Sequence, residues 1–314
     1  MIKQQAQASQ DWNVLKARVE AHLRALSGPV EPNEPLVRTA VRESLLAPAK
    51  RIRPMLVDLA ARDLGHHSPA ALHAGCAIEL VHTASLLLDD LPCMDDALTR
   101  RGRPSAHIRF GEDVAVLAAI ALLGDAFGVV ACLPDLAGEQ KSALSLSLSQ
   151  AVGMSGLVAG QYSDLRNTGQ ADPTGVVQLN DQKTGSLFVS AMEMAAILAD
   201  ASPDQRRNLR SFGVELGRAF QLFDDLLDVA GDASRMGKSN NKDVGKAILA
   251  QGIGADGMVE HIRAHLQEAS AALDALPDGA PLLRAFTAML FGASLAPTTG
   301  SEVEQEPLLT ALLA

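Results

Sequence analysis

Strong helix formers dominate the chain, and period-two runs of Val, Ile, Thr and aromatic residues are scarce. The pattern predicts helices over residues 11–27, 35–47, 54–64, 70–91, 112–133, 139–160, 176–199, 204–230 and 256–275. Breaks fall at Gly28-Pro29, Glu31-Pro32, Pro48, Gly65 to Pro69, Pro92, Pro134, Asp172-Pro173 and Ser202-Pro203. Three of these are helix starts: Ser68-Pro69, Asp172-Pro173 and Ser202-Pro203 each place a capping side chain before a proline suited to the first turn. No linker or shift of composition divides the chain and no internal repeat is evident, so the expectation is one all-α domain over residues 1–314. About the first ten residues are expected to fray, and the apolar end, Pro307 to Ala314, reads as a short docking helix.

The run from Val114 to Leu133 is long enough to span a bilayer and contains only one charge, Asp125. It is also rich in Ala and Gly and has no basic flank, and a central Asp costs about 2.5–3.5 kcal/mol on insertion scales. A helix apolar on all sides suits the centre of a large soluble bundle, and that reading is preferred over a membrane span.

Composition narrows the function. The 314 residues are 47% hydrophobic, enough for a substantial core, yet only 3% aromatic. Lys and Arg total 27 against 37 Asp and Glu, a net charge of −10, which argues against a nucleic-acid partner. Cys76, Cys93 and Cys132 form neither a disulfide framework nor a zinc site, and the polar start has no apolar signal core. A reducing compartment, the cytoplasm, is the simplest expectation.

Two aspartate clusters change this picture of a generic acidic protein. The first runs Leu88-Asp89-Asp90-Leu91-Pro92-Cys93-Met94-Asp95-Asp96, the second Phe220-Gln221-Leu222-Phe223-Asp224-Asp225-Leu226-Leu227-Asp228. Adjacent carboxylates among apolar neighbours are not an ordinary solvated face, because burying several ionised carboxylates requires cations. On an ideal helix Asp224, Asp228, Gln221 and Asp225 lie at about 0, 40, 60 and 100°. In the first cluster Asp89 and Asp90 close a helix that Pro92 stops, and Asp95 returns from the loop. Oxygen ligands without His or Cys favour Mg²⁺, or Mn²⁺, over zinc. Mg²⁺ usually completes its shell with water and substrate phosphate oxygens. Basic residues gather at Lys50-Arg51-Ile52-Arg53, at Arg100-Arg101-Gly102-Arg103, at Lys183-Thr184 and from Gly237-Lys238 to Lys246. Any one of these alone would be ordinary surface charge. Together with two aspartate clusters they describe a site for phosphate groups.

On these motifs the sequence resembles the short-chain trans-isoprenyl diphosphate synthases, most closely the bacterial geranylgeranyl diphosphate synthases that feed carotenoid formation. The resemblance runs from about Leu36 to Gly254. Besides the two clusters it includes Ala49-Lys50-Arg51-Ile52-Arg53-Pro54, Gly160-Gln161-Tyr162-Ser163-Asp164-Leu165, and Gly237-Lys238 through Asp243-Val244-Gly245-Lys246. It implies a single large helical bundle with a central active-site cavity, a homodimer, and a Mg²⁺ cluster on Asp89, Asp90, Asp95, Asp224, Asp225 and Asp228. It implies further that Arg100, Lys183, Thr184, Gln221 and Lys238 hold the allylic diphosphate (dimethylallyl, geranyl or farnesyl), with Lys246 closing over it. Lys50, Arg53, His82 and Arg101 would grip isopentenyl diphosphate, and Asp164 and Asp243 would orient metal-bound water. A small residue five positions before the first motif, Ala84, goes with a product tunnel long enough for geranylgeranyl diphosphate. The helical wheel alone favours Ser85, about 40° from Asp89. A farnesyl or longer-chain product, a terpene cyclase and a non-catalytic regulatory subunit are the alternatives. The all-Asp second motif disfavours a cyclase, and two intact motifs disfavour a silent subunit.

Three departures from the family pattern stand at Ala49, at Ala119-Ile120-Ala121 and at Ala247-Ile248; none removes a ligand, and activity is expected. Gly252-Ile253-Gly254-Ala255-Asp256-Gly257 matches a dinucleotide fingerprint by letters, but no strand precedes it, so it reads as a helix-connecting loop. His261 and His265 read as part of an exposed helix, since no metalloprotease glutamate follows His261.

Overall fold

The computed structural model describes residues 2–166, 181–235 and 248–291. Helices α1 (Ile2–Leu26), α2 (Leu36–Leu45), α3 (Ile52–Asp63), α4 (Ala70–Asp89), α5 (Ala106–Phe110), α6 (Glu112–Ala131), α7 (Gly138–Val152) and α8 (Leu157–Arg166) come first. A π-helical turn over Asp181–Gly185 leads into α9 (Ser186–Leu198), followed by α10 (Pro203–Arg235), α11 (Ile248–Asp274), a 3-10 turn at Pro277–Gly279 and α12 (Pro281–Phe291). Among the described residues the only strands are Thr99–Arg100 and Arg103–Pro104, paired as an antiparallel hairpin. The fold is all-α, as the pattern predicts.

Several boundaries have visible causes. Ser68 Oγ accepts the Ala70 amide at 3.2 Å. At α10, Ser202 Oγ accepts the Gln205 amide at 3.3 Å while Gln205 Oε1 accepts the Ser202 amide at 2.8 Å, a reciprocal capping box. The predicted helix 139–160 is broken around Gly156, where a Cβ would lie 2.1 Å from the Ala151 carbonyl oxygen. The backbone of residues 2–10, expected to fray, is helical, in keeping with the Gln- and Ala-rich sequence there. Neither α5 nor α12 is among the predicted helices. Five residues are too few to show a period, and the cap of α12 comes from a distant segment: Asp63, at the end of α3, accepts the amides of Leu282 (3.1 Å) and Leu283 (2.9 Å). The glycine-rich decoy lies within α11, which Gly254 (φ 66°) interrupts. Asp172-Pro173 and the C-terminal stretch from Pro307 lie outside the described residues.

The residues cluster into two compact units. One comprises Met1–Leu148, Met194–Ala201 and Ala280–Ala314, the other Ser149–Glu193 and Ser202–Gly279. In the first unit α4 packs against α3 and α6, and its core is aliphatic: Leu56, Leu59, Ile78, Leu80 and Leu122 are fully buried. Gly75 allows the α3–α4 approach, because a Cβ there would sit 2.6 Å from the Pro54 carbonyl oxygen. Trp12 meets Phe286 edge-on, ring centroids 5.1 Å apart. In the second unit α10 packs along α11, and the π turn lies against α8 and α10. By length and composition alone, three stretches of the described residues could cross a membrane: Ala70–Asp89, Glu112–Ala131 and Gly138–Arg166.

Candidate active site

In the first unit, the aspartate cluster is built by the chain folding back over the end of α4. The amide of Asp95 donates to the Asp89 carbonyl at 2.9 Å, Asp96 to Leu91 at 3.1 Å and Ala97 to Asp90 at 3.2 Å. These bonds satisfy helix-end carbonyls that Pro92 would otherwise leave without a continuing turn, and they return Asp95 to Asp89 as the sequence suggests. Asp90 is buried, while Asp89 and Asp95 are half-exposed.

The hairpin that follows turns at Arg101 (φ 53°) and Gly102 (φ 72°), both left-handed, the two-residue connection that matches strand twist. It carries Arg100 back to the cluster, where Nε donates to Asp90 Oδ1 at 2.9 Å and Nη2 donates to the same oxygen. Burial opposes the Arg100 charge, but the bond to Asp90 and the charges of Asp90, Asp89 and Asp95 raise its pKa on balance. A small cleft here is lined by Thr83, Asp90, Arg100, Arg101, Arg103 and Arg109.

Beside the carboxylates lies a cationic cluster. His82 is pushed well below its ordinary pKa, first by burial and then by Arg53, Arg101, Arg100 and Arg51, so the ring is neutral among four guanidiniums. Arg101 is lowered as well, by burial foremost and by repulsion from Arg51 and Arg100, against the opposing pull of Glu79. The chemistry of guanidiniums close to an uncharged imidazole suits a multiply charged anion. Three of the four residues assigned to isopentenyl diphosphate (Arg53, His82 and Arg101) meet here, and Lys50 is half-buried in the segment leading to Arg53. Arg51 lies inside instead, in a left-handed conformation (φ 55°), donating to Glu79 Oε1 at 2.7 Å and to the carbonyls of Leu45 (2.7 Å) and Ala47 (2.9 Å). Glu79 was open to detection as an acid in the middle of a largely apolar helix, well before the Asp89 that ends it.

In the second unit, Lys183 and Thr184 ride on the π turn. Lys183 Nζ lies 2.5 Å from Asp164 Oδ2, one turn along α8 from Gly160. A Cβ on Gly160 would come within 2.5 Å of the Lys183 amide nitrogen, so only glycine permits this approach. Thr184 Oγ1 donates to Gln221 Oε1 at 2.5 Å, and Gln221 Nε2 donates to Asp225 Oδ1 at 2.9 Å, which ties the turn to the second aspartate cluster. Asp224 and Asp225 are half-exposed on α10. Asp228 follows on that helix, but its side chain lies outside the described residues, as do Lys238, Asp243 and Lys246. Asp181, Arg218 and Glu215 carried no signal in the sequence reading. Arg218 donates to Asp181 from Nε (2.8 Å) and Nη2 (2.6 Å) and to Glu215 from Nη1 (2.9 Å). His261, Arg263 and Glu268 are exposed as expected, while His265 is half-buried, its Nδ1 2.6 Å from Glu215 Oε2.

Among the described residues no three His, Cys, Asp or Glu side chains form a ready-made metal cage. Oxygen donors in half-exposed groups still fit a hard cation that keeps waters and substrate oxygens in its shell.

A family model described as Polyprenyl synthetase matches residues 34–250. The chain is 43% identical over 287 residues to a geranylgeranyl diphosphate synthase of Pseudescherichia vulneris, covering 90% of this chain and 92% of that one. It is 48% identical over 251 residues to a geranylgeranyl diphosphate synthase of Pantoea ananas, covering 79% and 82% respectively. Among solved structures, a geranyltransferase from Legionella pneumophila superposes with a TM-score of 0.81 at 30% identity, covering 93% of this chain and 99% of that one.

Proposed function

The chain belongs to the polyprenyl synthetase family, and from that premise we propose that it is a geranylgeranyl diphosphate synthase. It condenses isopentenyl diphosphate with an allylic diphosphate as one Mg²⁺-dependent domain, Mn²⁺ being an alternative ion. The observation that carries the reading is the cluster of Arg53, Arg100 and Arg101 around neutral His82, beside the carboxylates of Asp89, Asp90 and Asp95. It pairs an anion receptor with a hard-cation ligand set. No general base is needed where the leaving group is itself a base.

The six motif aspartates Asp89, Asp90, Asp95, Asp224, Asp225 and Asp228 would hold Mg²⁺, which supplies charge neutralisation to the departing diphosphate. Arg100, Lys183, Thr184, Gln221 and Lys238 bind the allylic diphosphate and stabilise charge that grows as its C–O bond breaks. Lys50, Arg53, His82 and Arg101 orient isopentenyl diphosphate so that its alkene attacks the allylic carbon. A new C–C bond forms, and the proton lost from the adjacent carbon passes to the released diphosphate. Apolar walls exclude water, which would otherwise trap the cation as an alcohol.

The protein works as a homodimer in the cytoplasm, in a route to carotenoids. Support for the dimer comes from α6, whose most apolar 18-residue stretch has a mean hydropathy of 2.3 although only 33% of that stretch is buried, with Leu117 55% and Ile120 60% exposed. A second copy covering that face suits a soluble enzyme better than insertion, since Asp125 lies on the same helix and is exposed. Light scattering should give twice the chain mass, and Ile120→Glu should halve it. Incubation with Mg²⁺, farnesyl diphosphate and isopentenyl diphosphate should give a linear C20 diphosphate. A cyclised hydrocarbon, or no turnover, overturns the reading.

A further inference from the structure

The π turn Asp181–Gly185 is held to α10 by two parallel rungs. Asp181 accepts both arms of Arg218, and three residues on in each element Thr184 meets Gln221. Gly217 lets the turn lie close, since a Cβ there would be 3.1 Å from the Gly185 Cα. A π-helical turn is intrinsically rare and needs such external ties. The first rung has its own backing, because Glu215 engages Arg218 from the preceding turn of α10 and His265 braces Glu215 from α11. All four side chains are partly shielded, between 16% and 31% exposed, unlike the Arg207–Asp204 pair at 71% and 77%.

We infer that Asp181 and Arg218 are positioning residues for allylic diphosphate binding, acting through Lys183 and Thr184. This rests on the reading of Lys183 and Thr184 given above. The chain between the two rungs contains only Gln182 and Lys183, so losing the first rung frees the Lys183 backbone on its N-terminal side. The second rung and the Lys183–Asp164 bond remain. A displaced phosphate grip weakens binding of the allylic substrate and leaves isopentenyl diphosphate, gripped by residues of the other unit, untouched.

The test is steady-state kinetics with each substrate varied in turn. Arg218→Met should raise the KM for farnesyl diphosphate about tenfold, within the range that small misplacements produce, and change the KM for isopentenyl diphosphate by less than twofold. Arg218→Lys, which keeps one cation beside Asp181, should recover part of the loss. Asp181→Asn should match Arg218→Met, and the double variant should be no worse than either. Asp204→Asn with Arg207→Met, on the exposed pair, should change neither KM. The inference is overturned if both KM values rise in step with a falling melting temperature, if neither moves, or if the two single effects multiply. Lys183→Ala separates the two levels. If it leaves the farnesyl diphosphate KM unchanged, the reading of the site fails; if it raises that KM while Arg218→Met does not, only the positioning role fails.

Discussion

Arg51 and Glu79 form an ion pair in the interior of the first unit, Nη1 to Oε1 at 2.7 Å, with side chains 1% and 3% exposed. The same guanidinium donates to the carbonyls of Leu45 and Ala47, so it ties the end of α2 to the start of α3 and supports the segment that presents Lys50 and Arg53. Removing one partner strands a buried charge. Glu79→Gln should therefore cost about 3–5 kcal/mol in a urea unfolding titration. Arg51→Met combined with Glu79→Leu should cost clearly less than the two single losses added together. Strict additivity would show that the two groups do not interact.

The helical organisation was legible because it rests on local signals: apolar stretches, prolines and capping side chains. The candidate site was legible to the extent that its residues lie in compact motifs, as in Asp89–Asp96 and Gln221–Asp225. Contacts between distant segments were not legible. Nothing near Asp63 announces that it caps a helix beginning at Pro281, and nothing near Asp181 announces Arg218. Arg51 shows the limit most clearly: Lys50-Arg51-Ile52-Arg53 reads as one basic group, yet a left-handed residue at its centre sends one member inward. Glu79, the residue that makes this possible, lies a helix away.

Gly160 is required by distance rather than by backbone conformation. Since a Cβ would press on the Lys183 amide nitrogen and α-carbon at 2.5 and 2.8 Å, and main chain cannot swing aside, Gly160→Ala must push α8 from the π turn. Overpacking of this kind costs about 1–3 kcal/mol. The Lys183–Asp164 bond would be strained with it. We expect a lower melting temperature together with a raised KM for the allylic substrate. An alanine variant with wild-type values of both would show that the turn yields freely.

Acid should weaken the joint between α1 and α4. His22 and His73 stack with centroids 3.9 Å apart and planes 9° from parallel. Burial lowers both pKa values, and the neighbouring His73 lowers that of His22 further. Below the ordinary histidine value of about 6.5 the unfolded chain takes up protons that the folded chain refuses. Stability should thus be constant above that pH and fall as pH drops through 6.5 towards the folded values. His22→Phe, which keeps a ring on His73, should flatten the decline in melting temperature between pH 7 and pH 5. An unchanged slope would remove this pair from the acid response.

Product length can be assigned by comparing adjacent residues on α4. His82, Ser85 and Asp89 are half-exposed on the face that carries the cationic and carboxylate groups, and Ser85 Oγ donates to the His82 carbonyl at 2.9 Å. Ala84 is 0% exposed, within the packing of α4 against its neighbours. A phenylalanine at position 85 would project from the half-exposed face, with little strain in the fold. At position 84 the same ring must displace packed side chains, at a cost of about 1–3 kcal/mol, unless a tunnel floor gives it room. Under the synthase reading both Ala84→Phe and Ser85→Phe should shift the product from C20 towards C15. If Ala84 borders the tunnel, Ala84→Phe should do so with little loss of melting temperature. Chromatographic sizing of the dephosphorylated products beside a thermal melt decides the matter. Shortening by Ser85→Phe alone, with Ala84→Phe merely destabilised, would place the tunnel on the Ser85 face, and an unchanged C20 product from both would remove this stretch of α4 from chain-length control.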